Sequence, residues 1–109
     1  MRPGNDAPSV THYSRVPTLA ELRNAIGGDL EIVPGFKTII YGDVVMDCVA
    51  LCNEHGKLAG LPINLRATME WEIALHRIGG GLLKNDQVTD YLVGPVIVLF
   101  GDQEFMKAL

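Results

Sequence analysis

Only two cysteines occur in the 109 residues, too few for a disulfide-stapled scaffold, and their scarcity fits a reducing compartment. No apolar run approaches the ~20 residues that span a bilayer; the longest stretches are 44–52, interrupted by Asp47, and 96–100. Cations are also sparse. Nine Lys and Arg stand against thirteen Asp and Glu, giving a net charge of −4. Binding driven by phosphate neutralisation needs clustered Lys and Arg, and here they are scattered, so direct nucleic-acid binding is not expected. The acidic excess is too small to mimic DNA and acts mainly on solubility. Internal repeats and low-complexity tracts are missing as well.

What remains is an ordinary globular composition, 48% apolar and 20% charged, with room for one domain. A chain this short buries only about two thirds of its unfolded surface, so a homodimer is an easy route to extra stability. Residues 1–16 carry Pro3, Gly4, Asn5 and Pro8 without periodicity or the apolar core of a signal peptide, and read as a flexible arm. Residues 17–109 read as a single domain, and the expected location is cytoplasmic.

Thr18 followed by Glu21 is a capping box, Leu19, Leu22 and Ile26 share a helical face, and Gly27-Gly28 is a stop; the pattern predicts a helix over 19–26. Strands are expected at 30–33, closed by Pro34-Gly35, and at 36–41, where apolar residues alternate. Gly42-Asp43 signals a two-residue hairpin turn into a further strand at 44–52. Residues 53–56 turn the chain, and Lys57-Leu58 is expected to add a short strand. Over 65–78, Ala67, Trp71, Ala74, Leu75 and Ile78 form an apolar helical stripe behind an Asn64 cap. The same residues also alternate as in a strand, but Ala, Met, Glu, Leu and Arg favour the helix. Residues 84–90 read as a loop and 91–93 and 96–100 as strands broken by Gly94-Pro95. Asp102 caps a last helical turn. These elements make an α+β fold, a small mostly antiparallel sheet with one or two helices packed on one face.

Several residue sets invite chemistry. Cys48, Cys52 and His55 have a C-x3-C-x2-H spacing, but on a strand the two thiols stand ~13 Å apart, too far for a shared metal or a disulfide. No metal site and no cofactor is expected. Cys52 with His76 is a conceivable nucleophile–base pair for a small hydrolase or transferase, although no nucleophile elbow accompanies it. Glu70 and Glu72, two apart on a helix, point in different directions and read as a solvated face. Gly79-Gly80-Gly81 lacks the GK[ST] ending of a phosphate loop and follows a helix, so it reads as a C-cap. The set Asn64, Arg66 and Thr68 is more suggestive. If Asn64 opens the helix, the free amides of the first turn, the Arg66 guanidinium and the Thr68 hydroxyl surround its positive end, where a small anion can dock. Simple capping by Asn64 explains the same asparagine.

Three segments carry a resemblance: Thr18-Leu19-Ala20-Glu21-Leu22 with Gly27-Gly28 and Leu30-Glu31-Ile32; Cys52-Asn53-Glu54-His55-Gly56-Lys57-Leu58 with Gly60-Leu61-Pro62-Ile63-Asn64-Leu65-Arg66-Ala67-Thr68; and Val93-Gly94-Pro95-Val96-Ile97-Val98. Over 18–68 and 90–101 the chain resembles a family of small phage and mobile-element proteins catalogued as a domain of unknown function. The chain departs from the family's usual pattern by an insertion at 69–89 and by Asp29 where an aromatic residue is common. The resemblance implies a phage or prophage origin, a bacterial cytoplasm and an accessory role, and it carries over no catalytic residue. The function expected is a non-enzymatic binding protein that blocks a host protein or sequesters a small anionic, nucleotide-like ligand.

Overall fold

The computed structural model describes residue 10, residues 16–84, 87–88 and 90–107, with the side chains of 83, 84, 87, 88 and 104 excluded. The arm expected at 1–16 lies outside the described residues except for Val10 and Val16. The helix α1 (Leu19–Ile26) forms where the capping box requires: Glu21 N donates to Thr18 Oγ1 at 3.2 Å and Thr18 N to Glu21 Oε1 at 3.3 Å. Gly27, at φ 84°, ends it in the left-handed region.

Strand β1 (Leu30–Ile32) leads through a corner at 33–37 into β2 (Thr38–Tyr41) and, across Gly42-Asp43, into the ten-residue β3 (Val44–Asn53). Both turn residues have positive φ, 56° and 63°, the type I′ geometry whose twist matches the strands it joins. β3 is the centre of the sheet. It pairs antiparallel with β1 through Ile32 and Leu51, and with β2 through Ile39 and Met46. Ala50 O accepts from Val33 N, and Cys48 N donates to Lys37 O. Residues two apart turn their backbone groups to the same side, so β1 and β2 follow each other along one edge of β3. The strand β6 (Ile97–Phe100) takes the other edge, with Val49 opposite Leu99 and Leu51 opposite Ile97.

On one face Met46, Cys48, Ala50 and Cys52 point inward with Ile39, Val98 and Phe100. Helix α2 (Leu65–Arg77) lays Ala67, Trp71 and Ala74 over this face. The fold is therefore the expected α+β arrangement, a small antiparallel sheet with a helix packed on it. Trp71 Nε1 donates to Pro34 O at 2.8 Å and so fastens α2 to the β1–β2 corner. Gly35 is required there twice over: its φ is +75°, and a Cβ would lie 2.5 Å from Leu75 Cδ2. Leu51 and Leu99, on the opposite face by alternation, are buried too, as is Ile26 of α1, which packs along β1 and β3. The short helix α3 (Gln103–Lys107) follows, capped by Asp102, whose Oδ1 accepts from Phe105 N at 2.9 Å.

Three expectations need correction. Lys57-Leu58 adds no strand: 54–60 is a run of turns in which Ala59 N donates to His55 O and Leu61 N returns to Gly56 O, so its polar groups are met locally. The loop expected at 84–90 contains a ladder between β4 (Leu83–Lys84) and β5 (Gln87–Val88); pairs this short leave no periodic trace in a polar stretch. The strand expected at 91–93 reduces to one bridge, Ile63 with Val93, because Gly94, at φ +68°, turns the chain away before Pro95.

Candidate functional site

Asn64 is where the sequence signal and the structure meet. It caps α2 as expected, its side-chain oxygen accepting from Ala67 N at 3.1 Å. The residue is fully buried, at 0% exposure, and a buried amide needs all its partners. Its Nδ2 donates to Gly94 O at 2.9 Å and its backbone N to Leu92 O at 2.8 Å. Thr68 completes the junction, donating its hydroxyl to Asn64 O at 2.8 Å while accepting from Leu92 N at 3.0 Å. Gly94 N donates to Pro62 O. Residues 62–68 and 92–94 are thereby tied together by main-chain and side-chain bonds.

Neighbouring residues serve the same junction. Gly94 lies against Leu61, whose Cδ1 would be 2.7 Å from any Cβ placed there, and Gly56 lies equally close to Val93. Lys57 forms an ion pair with Asp90 and stands 4.5 Å over the Tyr91 ring. Partial burial pushes the Asp90 carboxyl up, but the Lys57 hydrogen bond, the Tyr91 amide and the Lys57 charge outweigh it and hold it below its ordinary value.

Arg66 stands apart from its two companions. Its side chain is half exposed and pairs with Glu70 one turn on, Nε to Oε1 at 3.2 Å. Of the set Asn64, Arg66 and Thr68, then, two residues spend their polar atoms on the fold and one faces solvent. The first turn of α2 holds no acidic residue.

Cys52 and His76 show no mutual bond among the described residues. His76 Nε2 lies 2.7 Å from Glu72 Oε1 on the exposed side of α2. Burial, with Glu31 adding negative charge, pushes the Cys52 thiol up to about 11, and burial beside Asp47 pushes Cys48 up to about 12. Both thiols stay protonated at neutral pH, the opposite of an activated nucleophile. Both cysteines are free, and Cys48 Sγ donates to Phe36 O at 3.6 Å. Glu70 and Glu72 both correct the solvated-face reading, their side chains being only 17 and 24% exposed; the other oxygen of Glu72 accepts from Leu82 N at 2.6 Å, binding the segment after α2 back onto the helix. The C-cap itself is Ile78, and Gly79 and Gly80 close the helix end just beyond it, donating to His76 O and Leu75 O.

Sequence reasoning missed one cluster. Asp29, Glu54 and His55 bring one ligand atom each within 4.8 Å of one another, all exposed. The antiparallel register of Leu30 with Asn53 places them side by side, and only that register, invisible in linear spacing, signals it.

Residues 1–107 match the DUF3846 family, described as a domain of unknown function. The chain belongs to this family. The match runs through 69–89 and beyond both ends of the resembling segments at 18–68 and 90–101. No curated protein and no solved structure matches the chain. In this DUF3846 domain residues 62–68 and 92–94 meet at the Asn64 junction. No helix among the described residues is long and apolar enough to cross a membrane.

Proposed function

We propose that this domain is a non-enzymatic binding protein, of phage or prophage origin, that acts in a bacterial cytoplasm by docking against and blocking a host protein. The phage assignment rests on the resemblance of the 18–68 and 90–101 segments. The observation that carries the docking role is the tip of the β2–β3 hairpin. Ile40, Tyr41, Val44 and Val45 there are each 44 to 55% exposed, with Ile40 opposite Val45 and Tyr41 opposite Val44. Cross-strand pairs lie on alternate faces, so both faces of the ribbon end are apolar. Tyr41 leans on Phe100 at a centroid distance of 5.0 Å, which holds the tip in place. An apolar cluster kept rigid in water marks a contact surface.

The test is affinity capture from several bacterial hosts with the native protein and with Ile40→Asp/Val45→Asp. A host protein retained by the native tip and released by the variant supports the reading. Equal capture by both, or none by either, overturns it. The second role, capture of a nucleotide-like anion at Asn64, Arg66 and Thr68, is favoured only by the half-exposed Arg66 at an acid-free helix start. A nucleotide panel that raises the melting temperature of the native protein but not of Arg66→Ala supports it; no shift with any nucleotide removes it.

A further inference from the structure

Strand β3 is bonded from end to end along one edge but along only part of the other. On the first edge β2 takes 44–47 and β1 takes 51–53; on the second, β6 reaches only 48–51. Cys48 and Ala50 turn their backbone groups to the first edge, so by alternation Val45 and Asp47 turn theirs to the second. There β6 ends at Phe100, opposite Cys48, and no backbone bond among the described residues reaches Val45 or Asp47 from that side. Both residues are exposed.

The gap is a cleft of about 530 Å³ between this edge, at Val45, Met46 and Asp47, and the start of α3, with Met106 on its wall. Two backbone donors and two acceptors at a two-residue spacing match an extended chain, which lies about 4.8 Å from the strand it joins. Register then sets the side chains. A residue opposite Met46 shares the face on which Met46 packs and the Tyr41 and Phe100 rings meet, so it is apolar. A residue opposite Asp47 lies on the other face, beside a carboxylate that has no ion pair among the described residues. Asp102 and Lys107 on the α3 side of the cleft offset each other in charge, which leaves Asp47 to set the sign. Opposite charges stabilise a cross-strand pair, so the residue opposite Asp47 is Lys or Arg. The β3 of a second copy does not fit. With its Val45 against Asp47, its Val44 falls opposite Cys48, where Phe100 already stands.

We propose that the open edge of β3 at Val45–Asp47 takes an extended segment of the partner protein as an added strand, with an apolar residue opposite Met46 and a Lys or Arg opposite Asp47. The inference rests on the docking role proposed above and gives that contact its form.

The experiment pans a phage-displayed library of random peptides on the native protein and follows amide exchange by NMR with the peptides selected. Enrichment of peptides with an apolar residue next to a basic one is expected, and their binding is expected to slow exchange at Val45 and Asp47. Asp47→Lys is expected to weaken these peptides about tenfold and to favour versions carrying Glu in place of the basic residue. This charge swap leaves the backbone of β3 unchanged, so it does not depend on a variant that disturbs the fold. A library that yields no binder overturns the proposal, as does a binder that leaves Val45 and Asp47 exchange unchanged. Slow exchange at both amides without any peptide shows the edge already filled by this chain itself, and overturns it too. Host capture that is lost in Ile40→Asp/Val45→Asp but kept in Asp47→Lys removes the added strand and leaves the docking role standing.

Discussion

The side-chain amide of Asn64 donates to the carbonyl of Gly94, thirty residues away, at 2.9 Å from a fully buried position. The same side chain caps α2, so one residue both starts a helix and fixes where the returning chain crosses it. Removing it loses a cap and strands a buried carbonyl. Asn64→Ala is expected to cost about 3 kcal/mol in chemical denaturation. Asn64→Asp keeps the oxygen that caps Ala67 but loses the donor and buries a carboxylate. Its stability is therefore expected to rise as pH falls and the carboxyl takes up a proton, a trend opposite to that of ordinary surface carboxylates.

Thr68 holds the other half of the junction through its hydroxyl. Thr68→Val, close in shape, leaves Leu92 N without its acceptor and is expected to cost about 2 kcal/mol. Thr68→Ser keeps the hydroxyl and is expected to retain most of the stability. Faster hydrogen exchange at the Leu92 amide in the valine variant alone locates the loss.

Gly35 sits where a positive φ and the Leu75 side chain both exclude a Cβ. Gly35→Ala is expected to destabilise by about 2 kcal/mol or more, with the emission of Trp71 reporting the loosened corner. A neutral result contradicts the packing described for α2.

The thiols set a limit at high pH. Both are raised from the ordinary value of 9.0, Cys52 to about 11 and Cys48 to about 12. Above pH 9.0 the unfolded chain loses thiol protons that the folded chain keeps, so the unfolded state binds fewer protons and stability falls as pH rises. The fall from Cys52 ends near pH 11, where its folded thiol ionises as well. Cys48→Ala/Cys52→Ser is expected to flatten this slope in urea melts between those values. An unchanged slope refutes the assignment.

The parts legible in the sequence were those with local causes. Thr18 and Glu21 reach each other within one turn, and Gly42-Asp43 sets its own hairpin, so α1 and the β2–β3 ribbon followed from neighbours in the chain. Asn64 was readable as a cap for the same reason. Its second bond, to Gly94, depends on the path of 92–94, and no local pattern encodes that. Lys57-Leu58 failed as a strand because turns starting at His55 and Lys57 satisfied the backbone first. Glu72 looked solvated since Leu82, its partner, enters from beyond the helix. The Asp29–Glu54–His55 cluster likewise needs the β1–β3 register before it exists.

The position of β3 has a consequence for synthesis. It emerges from the ribosome with β1 and β2 already available along one edge, but its other edge waits for β6. At about 5–20 residues per second, the 44 residues from Asn53 to Ile97 take roughly 2–9 s to appear. Throughout that interval the nascent chain carries a half-paired central strand whose edge at Val49 and Leu51 is open to water, a template for pairing with other nascent chains. The rate at which a cell builds this protein, as much as its final stability, therefore sets how much of it reaches the folded state.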